Sequence, residues 1–477
     1  MKGQRPNIVF LLLDTVRADY LRAYGGNVRM PFLEHLARKG VLYERAIAPS
    51  TYTAPSHASL FLNKRTLGIK AFRESPLKNL DEKIDPFVEK VKYISRREIT
   101  LAAKLNYLGY STAVFSNNPF LSQGTGLTNG FEHVKNLWIE EKLKKSKLSS
   151  FELRLVANKT LRNMLIKLPY AISLLLTKKH LDAVYLDLKR KLDKHFAIRY
   201  GFYKLDAGAK KTNKAIEDYA RNAGSASKFI FVNYMEGHEG YPTNLITKRY
   251  VDQEKWLYLA GLIDGKDIGI IKEAYARRLG YLDDQISRLF GTLKETGILD
   301  NAVVIIASDH GQAFMEHGLM YHNMFPFEEL VHVPLISARF INGKQVTSGE
   351  VVSKPVSLTA LHESILNIAN GTADEVNGKL RRDNFVISDH VGITEFWDLK
   401  FLKLLRRRSS YADKIYRTKL FLNKFATAVY YRNFKLIVYK DKKAEMYDLK
   451  EDPEEKVNII SSYRGLALKM ANAAKAI

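Results

Sequence analysis

Three segments rich in apolar residues constrain the fold of this chain most strongly: Asn7–Leu13, Lys228–Tyr234 and 302–307. Such runs, bounded by polar or turn residues, are typical of strands buried on both faces of a parallel sheet. Helical patterns lie between them, over 30–39, 101–108 and 272–297. The alternation predicts an α/β fold with a large, mostly parallel sheet sandwiched by helices.

Two further segments define the predicted domains. A basic segment, 141–215, places Leu, Ile and Val at helical spacing among Lys and Arg, which predicts a helical insertion. Near the end of the chain, 431–439 and 445–449 predict an antiparallel hairpin. We therefore expect a catalytic α/β domain over 1–380, interrupted by 141–215, and a small antiparallel hairpin and helix subdomain over 381–477.

The composition is that of a folded soluble protein. Of the 477 residues, 46% are hydrophobic and 26% are charged. The chain has no cysteine, which excludes disulfides, zinc–thiolate sites and a cysteine nucleophile. The N-terminus runs into a short strand and does not resemble a signal peptide, and the apolar run 168–176 is too short to span a bilayer. These features predict a cytoplasmic protein.

The net charge of +24 is uneven, because 19 Lys and Arg face 6 Asp and Glu between Glu141 and Lys214. A positive field attracts phosphorylated substrates, anionic lipid or nucleic acid, and it is also the ordinary surface of a basic soluble protein. The sequence has no nucleic-acid-binding motif, so no specific nucleic-acid partner is expected. The basic helices either pack on the main domain or make a peripheral contact with an anionic membrane.

Polar side chains follow the predicted strands at their carboxyl ends, which is where ligands bind in α/β folds. Asp14, Asn117 and His238 each follow a strand-like run, and Asp309 and His310 follow another. A lone Asp at a strand end is more often a cap, and a lone His is more often structural. An adjacent Asp and His, however, supply oxygen and nitrogen ligands suited to a divalent cation.

Six segments in the right order resemble the sulfatase family of the alkaline-phosphatase superfamily. The opening 6–19 and the turn 53–60, which resembles the family's nucleophile signature, come first. The others are 109–112, the loop 236–242, the pair 308–311 and 316–319, and the C-terminal hairpin 431–453. The resemblance covers nearly the whole chain.

The resemblance implies a role for each candidate residue. Asp14, Thr53, Asp309 and His310 would bind a divalent cation, which is Ca²⁺, Mg²⁺, Mn²⁺ or Zn²⁺. Thr53 would be the nucleophile, with His238 and His322 as further catalytic residues. His57, Asn117 and His317 would bind substrate. We expect one ion rather than two, because only Glu236, His238 and His322 remain for a second site.

Departures from the family pattern shape the predicted function. Arylsulfatases carry a Cys or Ser that becomes formylglycine, whereas Thr53 cannot form that aldehyde. They also usually have a second Asp where this chain has Thr15, and often Lys in place of Asn117 and His322. We therefore predict a hydrolase or transferase that forms a covalent Thr53 intermediate with phosphate esters or diesters in preference to sulfate esters.

Two alternatives stay open: a sulfuric ester hydrolase proper, and a catalytically reduced member whose basic helices bind an anionic membrane or polymer. The expected partner is an anionic ester, with lipid-linked and polysaccharide substrates both open. The sequence leaves the oligomeric state open.

Overall fold

The computed structural model describes residues 5–73, 93–138, 140, 205–239, 265–322, 325–374, 376, 385–391 and 425–476. Most of the predicted basic insertion, 141–204, lies outside these residues. The strands in chain order are β1 (Asn7–Leu13), β2 (Val41–Tyr43), β3 (Ala46–Ile47), β4 (Ser111–Ser116), β5 (His133–Asn136), β6 (Lys228–Tyr234), β7 (Asn301–Ser308), β8 (Ala313–Phe314), β9 (Met320–Tyr321), β10 (His332–Val333), β11 (Leu335–Ile341), β12 (Lys344–Gln345), β13 (Glu350–Val352), β14 (Val356–Ser357), β15 (Val386–His390), β16 (Ala426–Tyr431), β17 (Phe434–Tyr439) and β18 (Ala444–Asp448). The α-helices are Pro31–Lys39, Thr53–Leu62, Lys70–Arg73, Leu101–Tyr107, Ala209–Arg221, Gly265–Glu295, Glu328–Val331, Leu361–Ala369 and Arg464–Ala476.

The central sheet has nine strands within the described residues. Its order is β13-β2-β11-β7-β1-β6-β4-β5, with β12 paired to β11. The strands β7, β1, β6, β4 and β5 are parallel neighbours, whereas β11 runs antiparallel to β7 and β2. The predicted α/β fold with a mostly parallel sheet is therefore confirmed.

Helices cover both faces of this sheet, as the uninterrupted apolar strands require. On β1, Ile8, Phe10 and Leu12 face one buried cluster, and Val9, Leu11 and Leu13 face another. The helices Thr53–Leu62, Leu101–Tyr107 and Leu361–Ala369 contribute to the first cluster. The helices Pro31–Lys39, Ala209–Arg221 and Gly265–Glu295 contribute to the second.

A smaller antiparallel sheet, β15-β16-β17-β18, lies near the C-terminus, as predicted. The helix Arg464–Ala476 packs on it, with Met470 in a buried cluster beside Val429 and Leu436. The sheet also meets the main domain, because Ser50 forms a β-bridge with Asp389 of β15. The domain boundaries themselves stay a prediction.

Among the residues that the structure describes, no helix is long and apolar enough to cross a membrane. The strands β4, β6, β1 and β7, which precede the predicted site residues, are adjacent and parallel. Their carboxyl ends meet at one edge of the sheet, since Leu13 pairs with both Tyr234 and Ser308. The residues that follow these strands are therefore brought together.

Candidate active site

Asp14, Asp309 and His310 form a compact group at this edge of the sheet. Asp14 directly follows β1, and Asp309 and His310 directly follow β7. One ligand atom from each of the three residues lies within 4.8 Å of the others. All three side chains are essentially inaccessible to solvent. We call them the buried group.

Thr53 lies beside the buried group. It is the first residue of the helix Thr53–Leu62, and its hydroxyl Oγ1 lies 3.2 Å from His310 Nε2 and 3.5 Å from Asp14 Oδ2. The residue before it, Tyr52, provides no side-chain cap. The N–H groups of the helix terminus and their partial positive charge therefore lie beside the Thr53 hydroxyl.

The buried group has the electrostatic character of a cation site. Oδ1 of Asp14 and Oδ2 of Asp309 are buried and have no hydrogen-bond partner among the described residues. Burial, together with repulsion from Asp309, raises the pKa of Asp14 to about 6, and burial raises the pKa of Asp309 to about 6. Burial lowers the pKa of His310 to about 3, which leaves its imidazole neutral and able to act as a ligand. These residues fit a divalent cation, which would pair the orphaned oxygens.

The backbone next to Asp14 is strained. Thr15 has φ of 59°, which is unfavourable for a β-branched residue. Its N–H donates to Asp309 Oδ1 and its hydroxyl donates to the Asp14 carbonyl. Gly237 passes close by, and a Cβ there would come within 2.3 Å of the Asp14 carbonyl oxygen. Thr15 thus orients the carboxylates by its backbone, and its side chain does not join the buried group.

A second polar group lies next to the first and consists of His238, Glu239 and His322. Oε2 of Glu239 lies 3.1 Å from His322 Nδ1 and 3.5 Å from His238 Nδ1. The rings of His310 and His322 are 4.6 Å apart between centroids, so the two groups are in contact. The side chains of the second group are 13–27% exposed, unlike those of the buried group. We call it the open group.

The predicted substrate-binding residues lie at three different places. His57 is fully buried behind Thr53, where its Nδ1 lies 2.9 Å from the Thr53 carbonyl oxygen, and burial lowers its pKa to about 3. Asn117 directs its amide to the Ala207 carbonyl. His317 stacks on Phe327 and belongs to a separate group with Glu329 and Glu455. None of these contacts tests substrate binding, which stays a prediction for all three.

Sequence reasoning missed two residues that the structure brings to the site. Asn118 Nδ2 donates to Asp14 Oδ2 over 2.8 Å, one position beyond the predicted Asn117. Glu239 joins the two histidines, whereas its neighbour Glu236 accepts hydrogen bonds from the N–H groups of Ala207 and Ala209. A strand end fixes a side chain's position only to within a residue or two, so the sequence signal was ambiguous at both places.

The small C-terminal sheet braces the turn that carries Thr53. The Ser50 hydroxyl donates to the Asp389 carbonyl, and the Thr51 hydroxyl lies 3.0 Å from His390 Nδ1. Arg65 forms two 2.8 Å hydrogen bonds with the Asp389 carboxylate. The turn 50–53 is therefore held from both the main sheet and the smaller one.

The sheet order and the buried group beside the Thr53 hydroxyl define an α/β protein with a candidate catalytic site at the carboxyl ends of its parallel strands. The profile of the sulfatase family matches residues 6–372, and the chain belongs to that family.

Curated relatives match shorter stretches. Arylsulfatase K of Danio rerio is 36% identical over 110 residues, which are 23% of this chain and 20% of the relative. An arylsulfatase of Clostridium perfringens is 25% identical over 207 residues, 42% of this chain and 38% of the relative. The matched part of the chain thus spans about a fifth to two fifths of the length of these curated relatives.

Solved structures match the whole fold. The phosphonate monoester hydrolase of Agrobacterium radiobacter has a TM-score of 0.61 at 16% identity, over 99% of this chain and 95% of that one. A protein solved in complex with its substrate D-glucosamine-2-N,6-O-disulfate has a TM-score of 0.60 at 15% identity, over 99% and 97% of the two chains. At these identities the likeness establishes the fold.

Proposed function

We propose that the chain is a cation-dependent hydrolase of anionic phosphate or sulfate esters with Thr53 as its nucleophile. The observation that carries this proposal is the position of Thr53 Oγ1, 3.2 Å from His310 Nε2 and 3.5 Å from Asp14 Oδ2 at a helix N-terminus. A hydroxyl that only stabilised the fold would not need two neighbouring carboxylates with unpaired oxygens. A nucleophile beside a cation site does need them.

Asp14, Asp309 and His310, with the hydroxyl of Thr53, would hold the cation. When bound, a divalent cation lowers the pKa of a coordinated hydroxyl and offsets negative charge on an ester. Burial raises the pKa of Asp14 and of Asp309, because a carboxylate anion is less stable away from water, and a nearby positive charge would offset that cost. His57 and Asn118 keep the group in place from behind, through Thr53 and Asp14 respectively.

The reaction follows from these positions. The Thr53 hydroxyl releases its proton to solvent as Oγ1 forms a bond to the phosphorus or sulfur centre, and the bond from that centre to the leaving oxygen breaks. The N–H groups at the start of the helix Thr53–Leu62 face the charge that develops on the non-bridging oxygens. The open group, which contains His238 and His322, lies on the accessible side, where the leaving oxygen takes up a proton. Water then releases the acid and restores the Thr53 hydroxyl.

Thr53 also favours phosphate over sulfate esters. The family's sulfate-ester chemistry uses a formylglycine that Thr cannot form, as the resemblance implies. The competing assignment, a sulfuric ester hydrolase, is favoured by the curated relatives, which are named arylsulfatases. The two assignments differ in the ester that the same site prefers.

Three matched aryl esters test the proposal: a phosphodiester, a phosphate monoester and a sulfate, each assayed with Mn²⁺, Mg²⁺, Ca²⁺ or Zn²⁺. We expect cation-dependent turnover, with kcat/KM higher for at least one phosphate ester than for the sulfate. Thr53→Ala should abolish turnover with an unchanged Tm, and Thr53→Ser should retain it. Higher kcat/KM for the sulfate would establish the competing assignment. Undiminished turnover by Thr53→Ala would exclude Thr53 as the nucleophile, and no turnover of any ester would favour the catalytically reduced alternative.

A further inference from the structure

The turn that follows β1 is fixed by hydrogen bonds to β6, to the end of β7 and to one helix. The four consecutive N–H groups from Asp14 to Arg17 all donate to these elements. Their acceptors are, in chain order, the Tyr234 carbonyl, Asp309 Oδ1, Ser308 Oγ and the Tyr275 hydroxyl. The last acceptor lies 258 positions from its donor, on the helix Gly265–Glu295. Tertiary contacts therefore set the path of this turn.

The Tyr275 hydroxyl makes two hydrogen bonds to the turn. It accepts from the Arg17 N–H over 3.0 Å and donates to the Thr15 carbonyl over 2.8 Å. The Tyr275 ring is fully buried and lies edge-on to Tyr20 and Phe314, with ring centroids 5.0 Å and 5.1 Å away. Close packing around the ring holds the hydroxyl in place. A single side chain thus closes the turn from Thr15 to Arg17.

The strained residue of the turn is held at both of its backbone groups. Thr15 has φ of 59°, which a β-branched residue adopts only where the surrounding structure imposes it. The Tyr275 hydroxyl fixes the Thr15 carbonyl, and Asp309 Oδ1 accepts from the Thr15 N–H over 3.2 Å. The strain is therefore maintained between one helix and one carboxylate of the buried group.

The orientation of Thr15 determines which oxygen of Asp309 faces a cation. Oδ1 of Asp309 accepts from the N–H groups of Thr15 and His310, over 3.2 Å and 3.0 Å. Oδ2 has no hydrogen-bond partner among the described residues. If the Thr15 N–H turned away, Oδ1 would lose one of these donors and the carboxylate would no longer be fixed with Oδ2 toward the cation.

The helix that carries Tyr275 is held in place by other contacts. Arg278, three residues later, donates to the His238 carbonyl over 3.1 Å. Asp283 accepts from two backbone N–H groups at the start of the helix Pro31–Lys39, each over 2.9 Å. These contacts do not involve the Tyr275 hydroxyl. Removal of that hydroxyl should therefore release the turn and leave the helix in place.

We propose that Tyr275 is a positioning residue for the cation of the buried group. Its hydroxyl holds Thr15 in the strained conformation that directs the Thr15 N–H to Asp309 Oδ1 and leaves Oδ2 to the cation. Tyr275 itself touches neither the cation nor the substrate and acts through the turn. The inference rests on the proposed cation site and goes beyond it, because Tyr275 lies outside all of the segments that resemble the family.

The affinity for a cation tests this inference without an assay of activity. The full-length protein is stripped with a chelator and titrated by calorimetry with Mn²⁺, and in parallel with Mg²⁺, Ca²⁺ and Zn²⁺. The measured quantity is the Kd of the binding event that Asp309→Asn removes. We expect Tyr275→Phe to raise this Kd by about tenfold, the lower end of the roughly 10–100-fold that loss of an outer partner of a metal ligand costs. Phenylalanine keeps the ring and its packing.

Tyr24→Phe is the matched control. The Tyr24 hydroxyl likewise donates to a backbone carbonyl and accepts from a backbone N–H, both of Leu335, over 3.0 Å and 2.8 Å. The two variants thus lose the same two kinds of hydrogen bond, and Tm should fall by a similar amount in both. Only Tyr275→Phe should bind the cation more weakly, because the Tyr24 hydroxyl bonds to the start of β11 and not to the turn.

A double-mutant cycle with Thr15→Gly tests the role of the strained turn. Glycine adopts a positive φ about as readily as a negative one, so its turn depends less on the Tyr275 hydroxyl. Tyr275→Phe should therefore raise the Kd by a smaller factor in the Thr15→Gly background than in the wild type. The Thr15 hydroxyl is absent from both proteins of the Thr15→Gly pair, so its own loss does not enter the comparison.

The outcomes separate this inference from the proposed function. A higher Kd in Tyr275→Phe, a wild-type Kd in Tyr24→Phe and a smaller factor in Thr15→Gly would together establish the role of Tyr275. An unchanged Kd in Tyr275→Phe, an equal rise in Tyr24→Phe, or equal factors in the two backgrounds would overturn it while the cation site stood. A wild type that binds none of the four cations would overturn both. Full turnover by Thr53→Ala would overturn the proposed nucleophile alone.

Discussion

At the residue scale, the site depends on side chains that hold the buried carboxylates in position. Asn118 donates from Nδ2 to Asp14 over 2.8 Å and accepts from the Phe120 N–H over 2.9 Å. The adjacent Asn117 directs its amide away from Asp14, to the Ala207 carbonyl. Substitution of one asparagine should therefore affect the reaction differently from substitution of the other, and each variant is the control for the other.

We predict that Asn118→Ala lowers kcat/KM by about 10–100-fold, because a lost partner lets the Asp14 carboxylate turn away from the cation. Asn117→Ala should change kcat/KM by less than about threefold, since a partly exposed amide to a backbone carbonyl contributes little. Steady-state kinetics on the best ester measure both. A large rise in KM for Asn117→Ala alone would instead favour the sequence-based prediction that Asn117 binds substrate.

The ambiguity between these two asparagines shows how far the sequence alone could go. The apolar runs predicted β1, β6 and β7, and the end of each run placed Asp14, His238 and Asp309 at one edge. The sequence could not say which of two adjacent residues turns inward after β4. That choice depends on the path of the chain after the strand, which tertiary contacts with Ala207 and Asp14 determine. For the same reason, the sequence analysis named Glu236, and not Glu239, as the acidic residue near His238.

At the scale of elements, the helix Thr53–Leu62, which begins with the proposed nucleophile, is held against the helix Leu361–Ala369 by a buried histidine. His362 Nδ1 donates to the Leu60 carbonyl over 3.0 Å, and its Nε2 accepts from the Lys104 ammonium over 3.0 Å. Burial, together with the nearby Lys104 ammonium, lowers the pKa of His362 to about 4. The folded protein thus keeps this imidazole neutral.

This arrangement makes stability depend on pH in a defined window. Between about pH 6.5 and about pH 4 the unfolded chain binds a proton at His362 that the folded protein does not bind. The free energy of unfolding should therefore fall as pH decreases through this window. The His362 contribution is roughly 2 kcal/mol between about pH 6.5 and about pH 5.

Urea unfolding of the wild type and of His362→Gln over this pH range measures that slope. The variant should be less stable at neutral pH, and its stability should vary less with pH. His35→Gln is the control and should change the slope much less than His362→Gln, because His35 is exposed whereas His362 is buried. A slope that is the same in His362→Gln would show that other groups cause the pH dependence.

At the scale of the whole molecule, the C-terminal sheet supports the candidate active site through contacts with Ser50 and Thr51. His390 of β15 contacts the Thr51 hydroxyl, two residues before the proposed nucleophile Thr53. The hydrophobic pattern predicted this sheet, but it could not predict where the sheet docks. Docking depends on specific polar pairs such as Arg65 with Asp389, which lie 324 positions apart.

We predict that His390→Ala lowers kcat by about tenfold, because the loss of one hydrogen bond to the turn corresponds to roughly 1.4 kcal/mol of barrier. His332→Ala is the control, since His332 is hydrogen-bonded to the Glu44 carbonyl, in the turn between β2 and β3, and should leave kcat unchanged. Stopped assays at saturating substrate measure kcat for both variants. The Tm of each variant shows whether a lower kcat reflects a loss of stability. Equal kcat values for His390→Ala and His332→Ala would show that this contact with the C-terminal sheet does not affect the reaction.

The basic segment 141–215 leads to a prediction about location. Its charge excess of 19 Lys and Arg over 6 Asp and Glu, counted from Glu141 to Lys214, should bind anionic liposomes at low salt. Binding should weaken as salt rises, because screening shortens the reach of surface charge. Co-sedimentation with anionic and with neutral liposomes measures this. Equal sedimentation with anionic and neutral liposomes, or no sedimentation at low salt, would contradict this prediction. It would favour the alternative that the basic helices pack on the main domain.

The central claim is that Thr53 Oγ1 attacks the ester and carries the transferred group. The most direct test is to mix the cation-loaded protein with the aryl phosphate monoester, quench in acid within one turnover, and map the peptides by mass spectrometry. We predict one phosphoryl group on the peptide that contains Thr53, and none on that peptide in Thr53→Ala. A burst of released phenol without any modified Thr53 peptide, or a modified residue elsewhere, would contradict the account.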